Sequence, residues 1–187
     1  MNISKEEKKV MLQIAKDSIA SIYDDRTESG VDYSLFQILQ SKKGAFVTLT
    51  KNYNLRGCIG YIISDMPLHE TIKDAARQAA IGDSRFPKLT QEELDKISIE
   101  VSLLSEPFPM KSYDDIVVGT HGLILTEQGH RGLLLPQVPI EHDMNKEEYL
   151  SALCEKTGFH FDFWRERILN IEMFTANVFS EEDLADE

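Results

Sequence analysis

The chain has 187 residues, 42% of them hydrophobic, and a formal net charge of −12. That size and apolar content support one substantial core and exclude a wholly disordered chain. The acidic balance opposes broad electrostatic binding to nucleic acid or to an anionic membrane. The polar start, MNISKEEKKV, lacks the apolar run of a secretory signal. No stretch nears the roughly 20 apolar residues of a membrane span. A soluble, cytoplasmic protein without a membrane contact is the expectation. Two cysteines, Cys58 and Cys154, lie far apart. In a reducing compartment they predict free thiols, and two are too few to hold an iron–sulfur cluster.

Ser4 and Glu7 form a capping box ahead of Val10, Met11, Ile14, Ile19 and Ile22, which recur at helical spacing. RTESGVDYS breaks this first helix, and SLFQILQS predicts a short one. GAFVTLT and LRGCIGYII read as strands joined at NYN, a hairpin. Pro67 opens a helix, PLHETIKDAARQAAIG, which Gly82 closes. DSRFPKL is a loop, and Thr90 with Glu93 caps a short helix, QEELDKI. In ISIEVSLLS, Ile97, Ile99, Val101 and Leu103 face one way, and Ser98, Glu100 and Ser102 the other. HGLILTEQGHRGLLLP predicts two strands around EQGH. Asn145, with Glu148, caps a helix that Gly158 ends. NIEMFTANVF is the last strand, and SEEDLADE, residues 180–187, reads as a solvated acidic tail. Hairpins among helices predict an α+β fold, an antiparallel sheet flanked by helices. No linker separates independent domains, so residues 1–187 are expected to form a single domain with its core near 10–179.

LRGCIG is the stretch that asks for an explanation, because glycine weakens a strand. Strict alternation puts Arg56, Cys58 and Gly60 on one face and Leu55, Gly57, Ile59 and Tyr61 on the other. Glycine in a strand marks a bulge or the close approach of a backbone or ligand. An arginine beside a cysteine favours the thiolate. The alternative is a packed cysteine and an arginine paired with an acid. Cys154 falls on the apolar stripe of its helix and is core.

Glu100 alternates with serines, which leave room for a ligand or a cation, or it sits on a solvated sheet face. Arg85, held beside Phe86 and Pro87, suits an anion such as phosphate or carboxylate, or is an ordinary loop arginine. His121, in GTHGLIL, suits a general acid–base role or a structural hydrogen bond. His69, His130, His142 and His160 show no metal-ligand spacing, and no metal site is expected. The dinucleotide and P-loop signatures and a GxSxG nucleophile elbow are absent.

LRGCIG, DSRFPKL, IEVSLLS, GTHGLIL, GLLLPQV and YLSALCEKTG followed by FW come in the order and spacing of the AMMECR domain. The chain resembles that family, whose prokaryotic members are also called AmmeMemoRadiSam system protein A, from about Val10 to Phe179. Lys88 stands where the family usually has a second proline. The resemblance implies a larger and a smaller lobe with LRGCIG along a cleft between them. It also implies a pathway shared with Memo-like and radical SAM proteins, and names no cofactor. On this basis the catalytic candidates are Cys58 as nucleophile, His121 as acid or base and Glu100 as the group that orients it. The ligand-binding candidates are Arg56, Gly57, Gly60, Arg85, Phe86 and Gln137. A thiol-dependent enzyme or enzyme subunit is the leading expectation. A non-catalytic module for a small anion, nucleotide or partner protein is the alternative.

Overall fold

The structure is a computed structural model that describes residues 3–24, 30 and 32–185. The chain divides into two compact units. One comprises Met1–Leu104 with Asn177–Glu187, and the other Ser105–Ala176.

In the first unit, α1 (Lys5–Ala20) begins at the expected capping box, Ser4 and Glu7 each bonding the other's backbone N–H. Most of RTESGVDYS lies outside the described residues. A short α2 (Gln37–Gln40) leads into β1 (Ala45–Lys51) and β2 (Asn54–Tyr61). Asn52 and Tyr53 both have positive φ, 51° and 61°, the two left-handed residues of a tight hairpin turn. Pro67 caps α3 (Leu68–Ile81), which Gly82 closes. The Thr90–Glu93 capping box is present, but the six residues after it wind as a 3-10 helix, Gln91–Lys96. The first unit's antiparallel strand order is β2–β1–β3, with β3 running Ile97–Leu104.

One face of these strands, carrying Ala45, Val47, Leu49, Ile99, Val101 and Leu103, joins α1 and α3 in the first core. The predicted alternation of β3 therefore holds, although Ser102 on the other face is buried. Ala75, Ala76, Ala79 and Ala80 keep the buried side of α3 small. The helix comes so near β2 that a Cβ on Gly57 would stand 2.1 Å from the Ala79 carbonyl oxygen. Glycine at 57 is the close backbone approach that its place in a strand suggested.

The second unit contains β4 (Phe108–Pro109), β5 (His121–Glu127), β6 (His130–Leu134), α4 (Val138–Glu141), α5 (Lys146–Thr157) and most of β7 (Ile171–Ser180). β5 pairs antiparallel with β6 and β7, and β4 pairs with β7. α5 starts at the expected Asn145–Glu148 capping box and ends at left-handed Gly158. Its Leu150, Leu153 and Cys154 join Leu123, Leu125, Trp164 and Ile171 in a second core, as foreseen for Cys154.

The end of the chain departs from expectation. SEEDLADE is not simply a solvated tail, because Glu181–Ala185 form α6. Ser180 and Asp183 cap each other, and three acidic residues suit the positive end of the helix. Leu184 packs on the first core, and Glu181 pairs with Lys16 at 3.1 Å. Among the described residues no helix is long and apolar enough to cross a membrane.

The Gly57 contact yields a direct test. Gly57→Ala must push α3 off β2 against its own backbone, so we expect a loss of about 2–3 kcal/mol in urea denaturation at unchanged secondary structure. A loss below about 0.5 kcal/mol, typical of an ordinary surface change, would show that α3 yields there freely.

Candidate functional site

β2 is not a regular strand. Gly57 faces Leu49 but Leu55 faces Thr50, so Arg56 is one residue too many on its strand. This β-bulge re-aims the side chain and breaks the two-residue count. Arg56 consequently does not flank Cys58 as strict alternation predicted. Its Nε and Nη2 donate to the Glu93 carboxylate at 3.1 and 2.9 Å, and its Nη1 to the Pro87 carbonyl at 2.8 Å. The Arg56 side chain is only 11% exposed. Lys51 and the Thr90 N–H also donate to Glu93. Arg56, Lys51 and that N–H hold the Glu93 pKa down to about 2. Arg56 is thus a fastening between β2 and the loop after α3, with its donors committed.

Beyond the bulge the register is regular. Cys58, Thr48 and Glu100 lie side by side across β2, β1 and β3, on the face opposite the helices. Gly60, Phe46 and Ser102 form the adjacent row. The Thr48 hydroxyl donates to the Cys58 sulfur at 3.4 Å. Burial pushes the Cys58 thiol up from its ordinary value. The Thr48 hydrogen bond and the Arg85 charge act in the opposite direction, while Asp83 and Glu100 reinforce the rise. Arg56, bonded to Glu93 and Pro87, therefore does not act on this sulfur as expected. The cation that acts on this sulfur is Arg85.

Arg85 reaches Cys58 through a residue that the sequence reading passed over. Asp83 is 7% exposed, and its carboxylate accepts from the Cys58 N–H at 3.0 Å and from Arg85 Nε and Nη2 at 3.0 and 2.7 Å. These donors hold its pKa far below the usual carboxylate range, the Arg85 side chain most of all. Arg85 Nη2 also points to the Cys58 carbonyl at 3.4 Å, and its guanidinium lies 5.4 Å from the Phe86 ring centre. The signal available in the sequence was an Asp placed directly after a helix-closing glycine and two residues before an arginine, the spacing at which its oxygen accepts a backbone N–H.

Both candidate glycines are accounted for by packing. The space beside Gly57 is filled by Ala79, and a Cβ on Gly60 would stand 2.4 Å from Phe46 Cγ. The room that the ligand-binding reading gave to these glycines belongs to protein atoms.

His121 and Gln137 belong to the second unit. His121 Nδ1 accepts the Val117 N–H at 3.1 Å, which leaves the proton of the neutral ring on Nε2. The ring meets Phe108 edge-on, with centroids 5.8 Å apart. In its neutral form His121 is thus a hydrogen-bond donor at Nε2 rather than a free base. Gln137 stands at the start of α4, and its buried Oε1 has no hydrogen-bond partner among the described residues.

The AMMECR1 family model matches residues 12–179. The chain belongs to the AMMECR1 family. A protein of Methanocella arvoryzae is 38% identical over 178 residues, 90% of this chain and 89% of its own. One of Methanothermobacter thermautotrophicus is 37% identical over 186 residues, 96% of this chain and 97% of its own. The fold is similar to the crystal structure of the uncharacterised protein PH0010 from Pyrococcus horikoshii. The TM-score is 0.86 at 34% identity, covering 96% of this chain and 94% of that one.

The Glu93 cluster predicts a pH dependence. A carboxyl lowered from 4.5 to about 2 stabilises the fold above pH 4.5 and loses that contribution as pH falls through 2. We expect Glu93→Gln to cost roughly 3 kcal/mol at pH 7 by urea denaturation. The gap from the unmodified chain should narrow progressively between pH 4.5 and 2. A gap constant across that range would mean that Glu93 contributes shape and not charge.

Proposed function

We propose that the polar face of β1–β3 recognises a small ligand, with Cys58 taking part as a neutral hydrogen-bonding thiol. The observation that carries this reading is the in-register row Cys58–Thr48–Glu100 on the face opposite the helices. Ser98 and Ser102 share that face of β3 with Glu100, so a thiol, a hydroxyl and a carboxylate stand in one row. Arg85 stands at its edge. On this reading the chain is a ligand-handling member of the pathway with Memo-like and radical SAM proteins that the resemblance implies.

The second reading is a thiol-dependent enzyme in which Cys58 attacks, with Glu100 beside it on the same face. One observation favours it: the Thr48 hydrogen bond and the Arg85 charge both stabilise a thiolate. The larger effect on the sulfur is burial, which favours the thiol, and for that reason binding is the first reading.

Alkylation of Cys58 by neutral iodoacetamide across pH, mapped by mass spectrometry, separates the two. We expect half-maximal reactivity above the pH found for a free cysteine peptide, shifted higher still in Arg85→Gln. A midpoint below that of the peptide would replace binding by the catalytic reading. In a thermal-shift screen of small metabolites, stabilisation by a true ligand should be lost in Glu100→Gln and retained in Cys58→Ser.

A further inference from the structure

Asp83 has no role in the readings above, although its carboxylate accepts the Cys58 N–H. Oδ1 accepts from the Arg85 N–H at 3.1 Å and Arg85 Nε at 3.0 Å, and Oδ2 from Arg85 Nη2 at 2.7 Å and the Cys58 N–H at 3.0 Å. A carboxylate has about four lone-pair sites, and here four donors fill them. No acceptor capacity remains for a ligand. Asp83 is also inaccessible, with a side chain 5% exposed, whereas that of Arg85 is 57% exposed. One member of the pair is an anchor and the other is presented.

The anchoring is side-on. Nε and Nη2 form a two-point contact that fixes the plane of the guanidinium as well as its position. Phe86 lies against that group, and Nη2 leans on the Cys58 carbonyl. Nη1 has no hydrogen-bond partner among the described residues. A planar cation fixed along one edge, with donors on its other edge and the same backbone holding Cys58, suits a small oxyanion. Fixing it in advance lowers the entropy that a flexible arginine would lose on binding. Arg56, the other arginine of the region, is tied by all three of its nitrogens and offers no comparable edge.

We propose that Asp83 is a positioning residue that holds Arg85 as an oxyanion-recognising group beside Cys58, so that the ligand of this face carries a carboxylate or phosphate. This rests on the recognition face proposed above and narrows its ligand class.

The test compares alkylation of Cys58 by anionic iodoacetate and neutral iodoacetamide, each rate divided by that of a free cysteine peptide. Both reagents lose iodide to the same sulfur, so their ratio cancels the thiolate fraction and reports local charge. Removing a unit charge a few ångströms from the reagent's carboxylate should lower the ratio about three- to tenfold in Arg85→Gln. Asp83→Asn then decides the role by sign. If Asp83 positions Arg85, the ratio falls, because the cation is released. If Asp83 acts only as a nearby negative charge, the ratio rises. A rise, or an unchanged ratio in Asp83→Asn, overturns the proposal, and so does an unchanged ratio in Arg85→Gln, which holds even where Asp83→Asn fails to fold. Inorganic phosphate that slows iodoacetate more than iodoacetamide assigns a phosphate ligand, and acetate that does so assigns a carboxylate. Failure of both reagents to reach Cys58 overturns the open recognition face itself, and this inference with it.

Discussion

The edge of β2 is held by side chains. This strand pairs with β1 on one side, and its other side would present unpaired backbone, which proteins cover or blunt. Here the segment from Asp83 to Glu93 does the covering with two carboxylates. Asp83 takes the Cys58 N–H, Arg85 reaches the Cys58 carbonyl, and Arg56 reaches back to Glu93 and Pro87. LRGCIG and DSRFPKL are therefore two halves of one arrangement. The position of Cys58 depends on both ion pairs, because the first bonds its own backbone and the second anchors the bulge before it.

The two pairs divide the work by exposure. Arg56 is largely enclosed, and desolvation makes an enclosed cation costly unless every donor is met. Glu93 and Pro87 meet them, and Lys51 adds a second positive charge to the same carboxylate. Arg85 keeps more than half of its side chain in solvent, so its pair with Asp83 gains less stability and leaves the guanidinium presentable. Exposure, rather than residue type, separates the structural arginine from the one suited to recognition.

Much of this was legible in the sequence. Capping boxes at Ser4, Thr90 and Asn145 marked helix starts, and apolar alternation fixed which face of β3 meets the helices. The glycines of LRGCIG announced close approaches, and two were found, at Ala79 and Phe46. The bulge at Arg56 was not legible, because counting by twos assumes that no residue is inserted, and a single insertion moves a side chain off its expected face. The Glu93 partnership was hidden for another reason: it joins positions 37 residues apart, and only the path of the chain after α3 brings them together. Asp83 read as a loop residue because its burial arises from that same path. At the end of the chain, acidic composition suggested solvent, while one leucine facing the first core and a serine cap sufficed for a helical turn.

The sulfur itself illustrates how a motif can mislead by composition and inform by position. An arginine two residues from a cysteine suggests activation, yet in this fold that arginine bonds Glu93 instead, and burial pushes the thiol up. A neutral thiol is a weak donor and a weak acceptor with a small apolar body. Set beside the Thr48 hydroxyl and the Glu100 carboxylate, a thiol adds contact and shape without adding charge. A permanently ionised sulfur there would face Asp83 and Glu100 as a third negative group, with Arg85 already committed along one edge to Asp83. On the proposed reading, the ligand brings its own charge to Arg85 and meets Cys58 through its neutral part.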